Sequence, residues 1–316
     1  SAWQIGRDGD LSLTRLQTEP NVLESAARQV DLLTAGMPLG VPWPALYAWP
    51  TVLPPRIDFL ALRIGPEILP EQIQEYVSSQ NSSGGPRVYL TIEPIARSNH
   101  DPDERLFDFV GRVLAAKRAG VAEIFFSHLV DPESGLLRSA DEPTELLVVA
   151  RTLTDVLGGT RFAGLMPMEN GSTALVFERD DGSELLCLWN EHGPRTVREP
   201  LLLGQNLTQI DLWGNRSRVP QVQSVACVDL TPMPVFITDI DPQISRTRRS
   251  FRLQGNGIPA AYRRHQTAVE FTNGFGRGIS GYVELHVPPG WNVDPAIIRF
   301  DLGEGESLAR ALAAAT

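Results

Sequence analysis

Cysteine and lysine are nearly absent from this chain: its 316 residues hold two cysteines, Cys187 and Cys227, and one lysine, Lys117. Two cysteines cannot build a disulfide framework, and a compact chain of this length, burying about 75% of its unfolded surface, has no need of one. They lie 40 positions apart in two apolar runs, a spacing that fits either two small buried hydrophobes on neighbouring strands or one bridge across a β-sandwich. No run of about 18 apolar residues occurs, so no helical membrane span is expected. A net charge of −10 argues against nucleic acid or an anionic membrane surface as partner. No Gly-x-Gly-x-x-Gly turn follows a strand, which removes a nucleotide cradle. No Gly-x-Ser-x-Gly elbow is present, which removes the commonest seat of a serine nucleophile. The five histidines, His100, His128, His192, His265 and His286, show no ligand spacing with the cysteines, so neither a metal nor a cofactor is expected.

What is present is ordinary globular material, 42% hydrophobic and 21% charged, long enough for about two domains. From Trp3 to Gly159 short apolar runs alternate with amphipathic ones. Strands are expected at Trp3–Gly6, Leu39–Trp43, Ile57–Ile64, Arg87–Ile92 and Glu123–Leu129. Between them, Asn21 reads as the N-cap of a helix carrying Val22, Ala26, Val30 and Leu33 at spacings of three or four. Further helices are expected at Glu71–Ser79 after Pro70, at Asp103–Arg118 closed by Gly120, and at Glu142–Leu157. Strand and helix in repeated succession imply parallel strands with right-handed crossovers. Five strands, with the first at the very start of the chain, read as half of a (β/α)8 barrel rather than an open nucleotide-binding sheet. The chain is therefore expected to be the C-terminal part of something longer.

After Gly159 the period changes to two. Ala174–Glu178, the turn Asp180–Gly182 and Glu184–Trp189 read as a hairpin. More strands are expected at Thr208–Leu212, Gln223–Leu230 and Val235–Ile237, which together make a sandwich. A third unit is expected from Asp241-Pro242, with strands at Phe251–Leu253, Gln266–Asn273, Ser280–Val287 and Ile297–Leu302. Its opening Arg246–Arg249 reads as a basic linker or a first strand edge.

The segment Trp3-Gln4-Ile5-Gly6-Arg7-Asp8 resembles the Trp-Gln-x-Gly-Asn-Glu end of the fourth strand in clan A glycoside hydrolases, which are (β/α)8 barrels. That resemblance implies an acid/base residue at Asp8. With Trp3 in the fourth strand, the seventh ends Arg87-Val-Tyr-Leu-Thr-Ile-Glu93, so it also implies a nucleophile at Glu93. A retaining pair needs one protonated and one ionised carboxyl about 5–5.5 Å apart. The chain departs from the pattern in carrying Arg7 for asparagine and Asp8 for glutamate, a side chain shorter by about 1.5 Å. Asp10 is the alternative acid. Trp43, Tyr47 and Trp49 after the second strand are candidates for stacking on a sugar, with Trp3 and His128 beside them. The segments Phe177-Glu178, Leu188-Trp189, Leu212-Trp213-Gly214-Asn215 and Thr231-Pro-Met-Pro-Val-Phe236 look like the accessory β-sandwich that follows such barrels. Val287-Pro-Pro-Gly-Trp-Asn-Val-Asp-Pro295 and Leu302-Gly-Glu-Gly-Glu-Ser307 are similar to the Ig-like domain associated with carbohydrate-binding modules in alpha-galactosidases.

The expectation is thus an α/β partial (β/α)8 barrel over 1–159, an accessory β-sandwich over 160–241 and an Ig-like β-sandwich over 242–316. Its function would be to act on or bind polysaccharide or oligosaccharide, with Asp8 and Glu93 catalytic, or to serve as a catalytically inactive binding or scaffold module of a larger secreted, bacterial protein. An extracellular or periplasmic location follows. The missing N-terminal half-barrel is expected from the same parent protein or from a partner chain, because unpaired strand edges recruit other chains.

Overall fold

The computed structural model describes residues 2–7, 20–34, 36–81, 85–190, 196–223, 225–254, 265–287 and 289–315. The chain divides into two compact units, Ser1–Phe162 and Ala163–Thr316. Among the described residues no helix is long and apolar enough to cross a membrane.

The first unit is built on a five-stranded parallel sheet of strands β1 (Trp3–Gln4), β2 (Leu39–Pro44), β3 (Phe59–Ile64), β4 (Arg87–Ile92) and β5 (Glu123–Phe126). Their order in space is their order in sequence. Sequential parallel strands with right-handed crossovers put every connection on one face, as in a barrel; a doubly wound sheet reverses direction and covers both. The core agrees. Leu39, Val41 and Trp43 of β2, Leu60, Leu62 and Ile64 of β3, and Val88 and Leu90 of β4 cluster with residues of helices α1 (Pro20–Thr34), α2 (Pro70–Asn81) and α3 (Pro102–Arg118). Side chains alternate along a strand, so Gly40, Phe59, Arg63, Tyr89, Glu93 and Phe125 belong to the opposite, inner face. There Phe59 and Tyr89 stack with centroids 4.0 Å apart, and Phe125 continues the row at 6.0 Å. Gly40 is required beneath it: a Cβ at that position would lie 2.1 Å from the Phe59 ring.

Helix α3 is the most fully specified element. Asp101 and Glu104 form a capping box, Pro102 opens the first turn, acids precede and bases follow, and Gly120 takes φ +78° just past the end, all in keeping with cap chemistry and the helix dipole. It also carries two buried arginines. Arg112, 0% exposed, donates to the carbonyls of Gly65 (2.7 Å), Pro66 (2.8 Å) and Glu93 (3.4 Å) and to Asp108 (2.9 Å). Arg105 donates to Ile95 O (3.1 Å) and pairs with Glu145, the first residue of α4 (Glu145–Leu157). A short ribbon of β6 (Leu137–Ser139) and β7 (Glu142–Pro143) precedes α4, so the helix begins three residues later than Glu142. Asn21 lies inside α1, not at its cap.

In the second unit β8 (Thr160–Leu165), β9 (Thr173–Arg179), β10 (Glu184–Trp189), β12 (Thr208–Ile210), β13 (Arg216–Arg218) and β16 (Val235–Thr238) form one sheet, whose edge strand β8 begins before the unit boundary. A second sheet holds β11 (Val197–Leu201), β14 (Gln221–Val222) and β15 (Val225–Leu230). Even-numbered residues of β9, β10 and β15, among them Val176, Leu186, Leu188, Ala226 and Val228, fill the core between them. Cys187 of β10 and Cys227 of β15 occupy the odd positions, on the outer faces of different sheets; both are free thiols, and burial pushes the Cys187 thiol up. The inter-sheet bridge that their spacing allowed is not formed.

A further pair of sheets follows, β17 (Arg252–Leu253), β18 (His265–Thr272), β22 (Ser307–Ala315) and β20 (Asn292–Asp294) in one, β19 (Ile279–Glu284) and β21 (Ile297–Leu302) in the other. They enclose Val269, Phe271, Ile298, Leu302 and Leu312. Arg246–Arg249, expected as a linker or strand edge, is instead part of helix α5 (Pro242–Ser250), capped by Asp241 on Gln243 N at 2.8 Å. Its Arg249 donates to Ala163 O and to the buried Glu184, both at 2.6 Å, while Ser250 Oγ donates to Thr272 O at 3.1 Å. One short helix thereby ties both cores of this unit together.

Replacing Arg112 with methionine keeps the bulk but strands the Pro66 and Glu93 carbonyls and Asp108, while the Gly65 carbonyl keeps the Ile68 N–H at 3.2 Å. Removing one partner of such a buried network is expected to lower stability by about 3–5 kcal/mol, against less than about 0.5 kcal/mol for the exposed Arg151→Met. Urea unfolding of the two variants checks it.

Candidate functional site

All five strands of a parallel sheet end on one edge, and in this fold class the loops after those ends carry the chemistry. Here that edge bears a cleft of about 460 Å³, bordered by Pro44 and Ala45 after β2, Arg63, Gly65, Pro66, Glu67 and Ile68 after β3, and Glu93 after β4. Glu93 is half-buried at the end of the longest stretch of paired backbone in the sheet, its own N–H donating to Ile64 O at 2.9 Å. Arg63 on the adjacent strand donates through Nε (3.0 Å) and Nη2 to the same carboxylate oxygen, Oε2. Oε1 has no partner among the described residues. Beneath, Arg112 grips the Glu93 carbonyl and the loop after β3, so the carboxylate is held from its side chain and from its backbone.

The expected site residues fall in different places. Tyr47 is exposed on the turn after β2, its N–H donating to Pro44 O at 3.4 Å, at the same edge as Glu93. His128 is exposed just beyond β5 and takes φ +54°, a left-handed conformation uncommon for a residue with a Cβ. Asp131, three residues on, accepts the N–H groups of Glu133 (2.9 Å) and Ser134 (2.8 Å), which hold its carboxyl below the usual range. Asp8 and Asp10 lie outside the described residues. Trp43 is corrected: it is buried in the helix-side core, because it alternates with the inner-face residues of β2, and its ring has no face for a sugar. Trp49 stacks on Tyr76 of α2 at 4.2 Å and its N–H donates to Tyr76 O and Ser79 Oγ, both at 3.2 Å, so its ring belongs to the helix layer. Trp3 is exposed, yet it pairs with Leu39, the first residue of β2, which places it at the other end of the strand, about 16 Å from Pro44 at 3.3 Å per residue.

Two participants escaped the sequence reading. Arg63 was the visible one, a lone charge in the otherwise apolar run Phe59-Leu-Ala-Leu-Arg-Ile64. Glu67 was not, since it sits in a loop with no periodicity.

No family model and no curated protein matches the chain. Among solved structures it is similar to a family 39 glycoside hydrolase from the gut symbiont Bacteroides cellulosilyticus WH2, at 13% identity and TM-score 0.46, over 58% of this chain and 44% of that one. An Anoxybacillus alpha-amylase gives 12% identity and TM-score 0.44, over 69% and 56%. A GH27 β-L-arabinopyranosidase from Geobacillus stearothermophilus gives 12% and 0.31, over 68% and 76%. The chain thus spans about half the length of the first two. Likeness at this level carries no argument about activity; the partial barrel followed by β-sheet domains stands on strand order and core composition.

The clamp under the cleft has a pH signature. Burial raises the Asp108 pKa, and Arg112 only partly offsets it. Because the folded value lies above the unfolded one, near 3.9, the folded state holds this proton to higher pH. Its contribution to stability is full below about pH 3.9 and is lost as pH rises through the raised folded value. In Asp108→Asn that loss should vanish: between pH 4 and 7 the variant's unfolding free energy, measured by urea titration at each pH, should fall less with rising pH than the parent's.

Proposed function

We propose that the chain is a glycoside hydrolase-like module acting on a β-linked glycan, with Glu93 as nucleophile and Asp8 as acid/base. The observation that supports this most is the carboxylate of Glu93 itself, fixed by Arg63 at the C-terminal edge of sequentially wound parallel strands, beside a cleft whose volume is within the range of small-ligand sites. In the reaction Glu93 attacks the anomeric carbon while the glycosidic C–O bond breaks and Asp8 protonates the leaving oxygen. Asp8 then takes a proton from water, which displaces Glu93 and releases the sugar. Tyr47 and His128 border the same edge and would contact the bound sugar. Glu67 is the other carboxylate on the cleft among the described residues and is the alternative proton donor.

The same reading carries the coarser expectations. Among the described residues the edge strands β1 and β5 are each paired on one side only, which suits a barrel completed by further strands of the parent protein or of a partner chain. An accessory sandwich and an Ig-like module would position that barrel on a polysaccharide outside the cytoplasm.

The test is turnover of aryl β-glycosides by the protein, with Glu93→Gln and Asp8→Asn. Glu93→Gln should lose at least about a thousandfold of activity with its melting temperature kept, and Asp8→Asn about a hundredfold or more, in line with the size of general acid catalysis. Activity unchanged in Glu93→Gln sinks the assignment. Absence of turnover on a broad glycan panel, with binding retained, would make the chain a carbohydrate-binding relative without catalysis.

A further inference from the structure

A second cavity of the first unit opens at the end of the sheet away from Glu93 and shares no residue with that cleft. It encloses about 180 Å³ between the end of α3, the start of β5 and the end of α4, with Val113, Val121, Ile124, Phe126, Leu153 and Leu157 as its apolar walls. Its cation is Lys117, the one lysine of the chain. The ammonium is half-buried and spends one hydrogen bond on Thr160 O at 2.5 Å, leaving two of its three donors. Among the described residues no carboxylate comes within the 4.0 Å of an ion pair; Glu123, also on the rim, is exposed and acts at longer range. Burial lowers the Lys117 pKa, with Glu123 only partly opposing.

A charge taken partly out of water is costly unless it is paired. Arginine supplies every other long cation of this chain; here a compact point charge stands against an apolar hollow instead. An apolar cavity of about 150 Å³ holds one benzene ring, so this one has room for a ring and a small charged group. We propose that the cavity binds a single-ring aromatic carboxylate, its ring among the apolar walls and its carboxylate on the Lys117 ammonium. The site is independent of the glycan reading.

Benzoate is the probe, titrated into the full chain by calorimetry, with benzyl alcohol as its uncharged counterpart. Benzoate is expected to bind with Kd of about 1 mM or tighter, and benzyl alcohol and the Lys117→Met variant to lose at least tenfold, with that variant's melting temperature checked. Because no other lysine competes, reductive methylation gives a second measurement on the unmutated protein: saturating benzoate should slow modification of Lys117 severalfold, and benzyl alcohol should not. No benzoate binding at about 10 mM, equal affinity for benzyl alcohol, unchanged affinity in a folded Lys117→Met, or no protection would each overturn the proposal.

Discussion

The guanidinium of Arg112 is the interaction on which the cleft depends. Where β3 and β4 end, the chain turns through Gly65-Pro66 and past Glu93, and the carbonyls of all three residues lose their ladder partners. An unmet buried carbonyl costs about 1–3 kcal/mol. One planar fork from α3 meets those of Pro66 and Glu93 and adds a second donor to that of Gly65, which the Ile68 N–H also reaches at 3.2 Å, and Asp108, one turn earlier on the same helix, balances its charge. The loops above the sheet therefore take their shape from the helix below. That helix can serve because its own ends are settled locally, by a capping box at Asp101 and the left-handed Gly120.

Where local signals agreed, the sequence was readable. Strand β4 runs Arg87–Ile92 as its apolar pattern implies, and α3 starts one residue before Asp103 because Pro102 occupies the first helical position. The hairpin at Gly182 is equally plain. What could not be read was the facing of fully buried strands. Every residue of Leu39–Pro44 is buried, so periodicity gives no clue that Trp43 points to the helices while Pro44 points to the cleft; only the register with β3 decides it. In Pro242–Ser250 a run of arginines suggested a linker and outweighed Asp241-Pro242, a cap followed by proline in the first turn. The partners that draw those arginines into a helix, Glu184 and the Ala163 carbonyl, are more than sixty residues away.

Arginine is the basic residue throughout this chain, Lys117 being the single lysine. Arg56 bridges Asp31, Asp58 and the Met37 carbonyl; Arg105 joins the Ile95 carbonyl to Glu145; Arg249 joins the Ala163 carbonyl to Glu184. Each uses several donors of one rigid fork on groups from separate segments, which an ammonium on a flexible stem does poorly. In a chain with an excess of acid, arginine is the cross-link between loops.

The same economy shapes the two sides of the cleft unequally. Glu93 follows a strand paired over six residues with β3, and further down the same inner face Phe59 and Tyr89 stack, with Phe125 tilted against Tyr89. The opposite edge rests on much less: β1 meets β2 at Trp3↔Leu39 and Gln4↔Gly40, with hydrogen bonds from Trp3 N to Pro38 O and from Ile5 N to Gly40 O, both at 2.9 Å. Gly40 is at once the partner of that edge and the residue that must stay bare for Phe59. The extensively paired side and the lightly held side of the sheet therefore meet at one glycine.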